Sequence, residues 1–250
     1  MSRSMTRLLT ARTGFVMCQL VGLMLLLFPA RVNADAVKGL YVGSGFYAPV
    51  DSTQSAARLS GFNRLFLLFL HIDAEGNITY NNTPVVQNGL YVGDPAWRAK
   101  LAAVKTPLTD VNRIELVIGG DQEDASFANI KHLIATAGTD SNSILNKDLQ
   151  ALKEATGVDA IQFADEKTYD APSAVTFGDM IAGLGLKVTL RPSTSQHFWA
   201  AIKSQLGTNV DAIYLQCYAT GADNDPASWD RAFADLKVYP GLWGNTDTPY

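Results

Sequence analysis

The sequence predicts an α/β fold, a (β/α)8 barrel of the TIM type in which the last strand and helix are not found. Strand-like and helix-like segments alternate along residues 37–250, which is typical of a parallel sheet with right-handed crossovers. Two strand-like segments, 158–161 and 210–213, repeat the motif Val-Asp-Ala-Ile, and each follows a helix closed by glycine. No Gly-x-Gly-x-x-Gly follows the first strand, which disfavours an open dinucleotide-binding sheet.

The first half of the barrel is predicted from apolar runs and turn residues. Residues 37–46 are predicted to form a strand with a Gly-rich end, and residues 52–60 a short helix. The run RLFLLFLHI at 64–72 is almost continuously apolar, as in a strand buried on both faces. The turn-rich and polar residues that follow, up to 93, predict an inserted loop. Asp94 is then placed to cap a helix over 95–105.

The second half continues the same alternation. Predicted strands lie at 113–118, 158–164, 187–190, 210–218 and 236–243, with predicted helices at 127–137, 143–156, 174–184, 198–206 and 226–234. Glycines close several of these helices, as expected for C-terminal caps. The prediction therefore contains seven barrel strands, and an eighth strand with its helix is missing from it.

The N-terminus predicts a secretory signal peptide over residues 1–36. Three arginines within the first 12 residues precede an apolar run at 15–30, and small residues follow at cleavage sites of the Ala-x-Ala kind. A membrane anchor is the alternative, but the run is short for a span of roughly 20 residues. We therefore expect a single barrel domain over 37–250 in a secreted or periplasmic protein with no membrane partner after cleavage. The missing eighth strand leaves open whether the domain is incomplete at its C-terminus.

Charge and cysteine content exclude several classes. Cleavage after Ala36 removes four arginines and one aspartate, so the net charge of −4 becomes −7. An acidic protein of this kind is not expected to bind nucleic acid or an anionic membrane. Cys217 would be the only cysteine left, so no disulfide framework is available. No spacing of His, Cys and acidic residues suggests a metal site, and we expect no metal and no cofactor.

The strand at 158–164 carries the first indication of a site. It is followed directly by Asp165 and Glu166, and in α/β barrels the chemistry lies at the carboxyl ends of the strands. Acidic side chains are seldom buried unless they are paired or used. Glu166 is thus a candidate acid catalyst. The alternative is that the pair only begins a loop or caps a helix.

Four segments together resemble glycoside hydrolase family 18, which includes chitinases and endo-β-N-acetylglucosaminidases. The strand ending in Glu166 resembles the signature Asp-Gly-x-Asp-x-Asp-x-Glu, with Asp159 matching its first aspartate. The segments VIGG at 117–120, LQCY at 215–218 and PGLW at 240–243 resemble motifs of the third, sixth and seventh strands, in the right order. The resemblance covers nearly the whole of residues 37–250.

This resemblance implies a fold, a substrate class and roles for individual residues. Glu166 would be the general acid, and the N-acetyl oxygen of the substrate would be the nucleophile. The substrate would be a glycan with β-linked N-acetylglucosamine, from chitin or glycoproteins, and Tyr218 would hydrogen-bond its acetamido group. The other expected substrate-binding residues are Asp165, Gln216, Trp243, Phe46 and Tyr47. For any one of the aromatic residues, core packing is the alternative; His71, at the end of a strand, could also line the site.

Departures from the family pattern make hydrolysis doubtful. The aspartate two residues before the acid is Ala164, the middle aspartate is Gln162, and the aspartate after Tyr218 is Ala219. Losing one well-placed electrostatic group costs roughly 10²–10³ in rate. Two hypotheses therefore stay open: a weakened glycoside hydrolase, and a lectin-like barrel that binds such glycans without cleaving them.

Overall fold

The computed structural model describes residues 36–43, 47, 55, 57–120, 124–233 and 235–242. By internal contacts the chain divides into residues 1–36 and residues 37–250, and the described strands and helices all belong to the second unit. Residues 1–35 of the predicted signal peptide and residues 52–54 and 56 of the predicted helix at 52–60 lie outside the described residues. Among those described, no helix combines the length and apolar character that a membrane crossing needs.

The described strands and helices alternate largely as the sequence predicts. The strands are β1 (Gly39–Val42), β2 (Arg64–Ile72), β3 (Ile78–Tyr80), β4 (Thr83–Gln87), β5 (Leu90–Tyr91), β6 (Arg113–Gly119), β7 (Ala160–Ala164), β8 (Lys187–Leu190), β9 (Val210–Gln216) and β10 (Val238–Gly241). The helices are α1 (Trp97–Val104), α2 (Ser126–Ala137), α3 (Ile144–Thr156), α4 (Ala171–Gly183), α5 (Gln196–Leu206) and α6 (Pro226–Ala232).

Seven of these strands form one parallel series in chain order. β1, β2, β6, β7, β8, β9 and β10 each pair with the next, and every pairing is parallel. Within the described residues the ladder runs from β1 to β10 without joining these two strands. The architecture is therefore a mixed α/β fold on a central parallel sheet with barrel-type strand order, and the described residues do not show a closed barrel.

The prediction of an inserted loop at residues 78–93 is wrong. The segment forms a three-stranded antiparallel meander, β3 to β5, which is attached to β2. Its apolar residues explain the difference, because Ile78, Val85 and Val86 are fully buried. The two tight turns have consecutive residues with positive φ, and the second of them is Asn88-Gly89. Asn-Gly is a strong hairpin signal, since such a turn needs this conformation at both positions.

The helices cover one face of the sheet and begin and end at recognisable caps. Ser143 accepts a hydrogen bond from the Asn146 amide at the start of α3, and Gly157, with φ of 65°, ends that helix. Side chains that alternate along β6 and β7 point into this helical layer, where Phe163 packs against Phe127 and Phe177 at ring distances of 5.5 and 5.3 Å. The larger apolar core therefore lies between the sheet and the helices.

The opposite face of the sheet forms a second, smaller interior. A chain of aromatic rings crosses it: Tyr41 lies 4.5 Å from Phe66, Phe66 lies 4.5 Å from Tyr214, and Tyr214 lies 5.8 Å from Tyr239. These rings come from β1, β2, β9 and β10, at the two ends of the parallel series. Contact between them requires the sheet to curve strongly around this interior, as in a barrel.

A charged layer underlies the aromatic rings. Glu115 is fully buried and accepts hydrogen bonds from Arg113 Nε at 2.6 Å and from the Thr189 hydroxyl at 2.5 Å. Arg113 also pairs with both carboxylate oxygens of Asp211 on β9, at 2.7 and 2.8 Å. Burial raises the pKa of Glu115, and the adjacent Arg113 opposes that rise. The layer ties β6 to β8 and β9 and so supports the curvature of the sheet.

Candidate functional site

A cavity of about 1020 Å³ opens at the carboxyl ends of the parallel strands and extends along β1 and β10. Its wall combines rings and apolar groups with a few polar side chains, the composition expected of a ligand site. The side chains that line it include Tyr41, Phe62, Phe69, Glu166, Arg191, Gln216, Tyr218 and Thr220.

Glu166 contacts a buried cation at this wall. Arg191 Nη1 lies 3.4 Å from Glu166 Oε1, and Arg191 Nη2 donates to the Tyr218 hydroxyl at 3.1 Å. The side chains of Glu166 and Arg191 are only 8% and 7% exposed. The guanidinium also lies 5.5 Å from the centre of the Tyr41 ring. The sequence-predicted residues Glu166 and Tyr218 are therefore brought together, with Arg191 bridging them.

The charge state of Arg191 follows from its neighbours. Burial by itself lowers the pKa of an arginine, but Tyr41, Tyr218 and Glu166 outweigh this effect and raise the pKa of Arg191 above its usual value. The guanidinium is therefore charged at any physiological pH. Its Nε is buried and has no hydrogen-bond partner among the described residues.

Two glycines open the space that these side chains occupy. Gly119 and Gly120 have φ of 84° and 95°, a conformation that L side chains rarely adopt. A Cβ on Gly120 would lie 2.4 Å from Phe69 Cε1 and 2.9 Å from Arg191 Nη1. The Gly-Gly pair that ends the predicted third strand thus allows the Phe69 ring and the Arg191 guanidinium to approach the same corner of the cavity.

The strand positions before Glu166 face the interior but carry no acid. Ala164 is fully buried in the same cluster as Phe66 and Tyr214. Gln162, two residues earlier, accepts a hydrogen bond from the Tyr41 hydroxyl at 2.9 Å. Alternation along β7 therefore directs these side chains towards the cavity side, as the sequence pattern predicts. Where the family signature has carboxylates, this chain has a methyl group and an amide.

Asp165 has a different environment from Glu166. It is 3% exposed, and its carboxylate accepts hydrogen bonds from the backbone amides of Lys167, Thr168 and Tyr169 at 2.8 to 3.1 Å. Burial raises its pKa, and these three amides oppose the rise. Asp165 does not line the cavity. Its position fits the alternative of a loop-capping residue better than contact with a substrate.

Gln216 lines the cavity and fixes the loop that presents Tyr218. Its Nε2 donates to the Tyr218 carbonyl at 3.0 Å and to the Thr220 hydroxyl at 3.1 Å. Its Oε1 is buried without a hydrogen-bond partner in the described part of the chain. Ala219, next in the chain, has φ of 48°, an unusual value for a residue with a side chain.

The other predicted residues lie elsewhere. Tyr47 packs against Trp97 at 5.0 Å and its hydroxyl accepts from the Asp94 amide at 2.8 Å, so it belongs to the core beside the meander. Phe46 and Trp243 lie outside the described residues. His71 contacts Asp124 at 2.9 Å and does not line the cavity.

Neither the histidines nor the free cysteine suggests a further reactive centre. His132 and His197 are exposed. Cys217 is half-buried, and burial raises the pKa of its thiol, which opposes thiolate chemistry. No cluster of three or more metal-ligating side chains occurs among the described residues.

Several residues that line the cavity were not singled out from the sequence, among them Arg191, Tyr41 and Phe69. Arg191 directly follows the short strand β8 and precedes Pro192, a position at the strand mouth where a charged residue indicates a site. That signal was present in the sequence. Tyr41 and Phe69 lie within apolar runs, where nothing distinguishes a cavity-lining ring from a core ring.

Solved structures share this fold at low sequence identity. A chitinase-like agglutinin from Robinia pseudoacacia has a TM-score of 0.56 and 17% identity, over 83% of this chain and 69% of its own. The spore cortex-lytic enzyme SleL of Bacillus megaterium QM B1551 has a TM-score of 0.52 and 14% identity, over 82% of this chain and 49% of its own. SleL of Bacillus cereus has a TM-score of 0.51 and 13% identity over the same shares.

This chain thus spans about half the length of the SleL chains, at 49%. No protein-family model matches the chain. A search of curated proteins likewise finds no match. At these identities the likeness establishes only a shared fold, mixed α/β with a central parallel sheet, and leaves the chemistry to the site itself.

Proposed function

We propose that this chain is an exported, glycoside hydrolase 18-like protein that binds glycans containing β-linked N-acetylglucosamine, and that hydrolysis by Glu166 is weak or absent. The observation that carries the proposal is the buried contact between Glu166 and Arg191. Glu166 follows Ala164 by two residues in the chain. This contact leaves a shaped cavity in place and makes the chemistry of cleavage unfavourable.

The cavity supports binding of a saccharide. A volume of about 1020 Å³ is at the upper end of the range for small-ligand sites. Phe69 and Tyr218 line the cavity with rings on which the apolar face of a sugar can stack, and the polar groups of Gln216 and Thr220 lie in the same wall. This combination of rings with a few polar groups suits a ligand with hydroxyl and acetamido substituents.

The same wall opposes turnover. A general acid must carry a proton before it can protonate the leaving oxygen. A cation within hydrogen-bonding distance stabilises the charged form of a carboxylate, and Arg191 is 3.4 Å from Glu166. Ala164 supplies no charge to a cationic intermediate, a loss of roughly 10²–10³ in rate.

The fold neighbours are compatible with either role. They include spore cortex-lytic enzymes and a chitinase-like agglutinin, so a barrel of this shape occurs in proteins named for lysis and in one named for agglutination. The fold does not decide between cleavage and binding.

A weakened glycoside hydrolase is the second candidate. It is favoured by one observation: Glu166 and Tyr218 line the same cavity, as an acid and its acetamido-binding partner would. In that case the ligand has to displace the Arg191 guanidinium from Glu166 before cleavage.

Titration calorimetry with chitotriose, with cellotriose as the control that lacks acetamido groups, tests the binding proposal. We expect chitotriose to bind and cellotriose to bind more weakly. Absence of chitotriose binding would refute the proposal. Turnover of a fluorogenic chitobioside, compared between wild type and Glu166→Gln, separates the two candidates: equal rates support binding alone, and a rate lost in the variant supports hydrolysis.

A further inference from the structure

The meander meets α3 through two turns that contact one buried side chain. The first turn, residues 73–77, joins β2 to β3, and the second, residues 88–89, joins β4 to β5. Asp148 on α3 is fully buried, and its Oδ1 accepts a hydrogen bond from the Gly89 amide of the second turn. Its Oδ2 is also buried and has no hydrogen-bond partner in the described part of the chain. We call Asp148 and the two turns the α3 clasp.

Both turns approach α3 closely because a glycine stands at each point of contact. Gly76 has φ of 93°, and a Cβ there would lie 3.4 Å from Asp148 Oδ2 and 3.1 Å from Ile144 Cγ2. A Cβ on Gly89 would lie 3.3 Å from Lys147 Cβ. The backbone of each turn therefore lies directly against α3, and no side chain of the turns separates Asp148 from them at these points.

The two turns are also bonded to each other. Asn77 Oδ1 accepts from the Asn88 amide at 3.2 Å, and Asn77 Nδ2 donates to Asp73 Oδ2 at 2.9 Å. Asp73 Oδ1 accepts from the Glu75 and Asn77 amides at 3.0 and 2.8 Å. Since these bonds do not involve Asp148, we expect the two turns to dock on α3, or to leave it, as one unit.

The surroundings of Asp148 favour its neutral form. Burial is the main cause, repulsion by Asp73 adds to it, and the Gly89 amide opposes both, so that the pKa of Asp148 is raised to about 6. Glu75 in the first turn and Lys147 on α3 are exposed, and the second turn contains no titratable side chain. An ionised Asp148 is therefore a buried charge with only one bonded oxygen, which is unfavourable.

The meander also supports one wall of the cavity. Asn81, directly after β3, donates from its Nδ2 to the Leu68 carbonyl at 2.7 Å and from its backbone amide to the Phe69 carbonyl at 3.1 Å. Leu68 and Phe69 both line the cavity. Movement of the meander away from α3 would therefore loosen the bonds that fix this wall.

We propose that the α3 clasp is a pH-sensitive switch, which holds the meander on α3 while Asp148 is protonated and releases it more often once Asp148 is ionised. Release returns the carboxylate to water, where ionisation costs nothing. Because the docked state holds the proton more tightly, docking is strongest below about pH 4 and weakens as pH rises to about 6. The wall at Phe69 is then less firmly held at neutral pH than in acid, whichever ligand the cavity binds.

Amide hydrogen exchange of the whole protein tests the switch, followed by NMR at about pH 4.5 and about pH 7.5 and corrected for intrinsic exchange rates. The reporters are the amides of Asn81 and Val92, which donate to the carbonyls of Phe69 and Val85. We expect their protection to be about tenfold lower at the higher pH. Low concentrations of urea should leave this exchange unchanged, because local release exposes little surface.

Two variants assign the effect to Asp148. Asp148→Asn keeps the shape of the side chain without the charge, and its reporters should be protected equally at both pH values. Asp179→Asn, which removes an exposed carboxylate from α4, should retain the tenfold change.

Three results would overturn the proposal. The first is equal protection of the wild-type reporters at the two pH values, a result that stands even if Asp148→Asn fails to fold. The second is a pH dependence that persists in Asp148→Asn. The third is reporter exchange that rises with urea as steeply as global unfolding does, because the meander would then leave α3 only when the whole protein unfolds.

Discussion

Replacing Arg191 with methionine should destabilise the protein by about 3 kcal/mol, near the lower end of the range for breaking a buried ion pair. Arg191 contacts Glu166 at 3.4 Å, and both side chains are less than 10% exposed, at 7% and 8%. Methionine keeps much of the side-chain volume and removes the charge. Glu166 then loses its guanidinium, and Tyr218 loses a donor at 3.1 Å.

The magnitude follows from the distance. At 3.4 Å and an effective dielectric constant of about 20, the attraction between unit charges is about 5 kcal/mol. Part of this is offset, because removing Arg191 also removes the cost of burying its charge and its unpartnered Nε. In the double variant Arg191→Met/Glu166→Gln both charges are gone, so its stability should return to within about 1 kcal/mol of wild type.

Urea unfolding of wild type, both single variants and the double variant forms a thermodynamic cycle that measures this coupling. Lys203→Met serves as the control, since Lys203 pairs with the exposed Asp235 and such pairs contribute little. The reasoning is refuted if Arg191→Met unfolds at the wild-type urea concentration, or if the double variant is no more stable than Arg191→Met alone.

Three further predictions concern other parts of the chain. Burial raises the pKa of Asp148 to about 6, above its unfolded value, so the free energy of unfolding should fall as pH rises from about 4 to about 6. Asp148→Asn should therefore be about 1 to 2 kcal/mol more stable than wild type near pH 7.5. Thermal unfolding scans should show this difference closing towards pH 4, and equal stability at pH 7.5 would contradict the prediction. Ala164→Asp should raise chitobioside turnover by ~10²-fold if Glu166 is the acid, and an equal gain in a Glu166→Gln background would exclude that role. N-terminal sequencing of the exported protein should find Val37 as its first residue. If residues 1–36 are still present, the segment acts as a membrane anchor and not as a cleaved signal peptide.

The parallel strands were predictable because strands that are buried on both faces consist of nearly continuous apolar residues. The predicted strand at 64–72 is confirmed at Arg64–Ile72, and that at 187–190 at Lys187–Leu190. Gly157 ends its helix as predicted, with positive φ. The meander was missed because its strands are short and partly polar, although Asn88-Gly89 was a usable turn signal.

The site was only partly predictable from the sequence. Glu166 lines the cavity, whereas Asp165, which the sequence analysis also expects to bind substrate, caps a loop. The contact of Arg191 with Glu166 joins residues 25 positions apart, and it depends on how far the sheet curves. Side-chain pairing of this kind follows from three-dimensional curvature and cannot be derived from local pattern.

The charged layer beneath the aromatic rings has a consequence for the order in which the protein folds. Arg113 bonds to Asp211, 98 residues later, and Arg64 bonds to Tyr214, 150 residues later. Contacts between residues so distant in sequence form slowly, because a long stretch of chain must be closed first. Until β9 docks, Glu115 and Arg113 stay solvated, and burying them without their partners would be unfavourable. We therefore expect no stable folding intermediate that contains only β2 to β8, and we expect the described strands and helices to become resistant to proteases in a single late step.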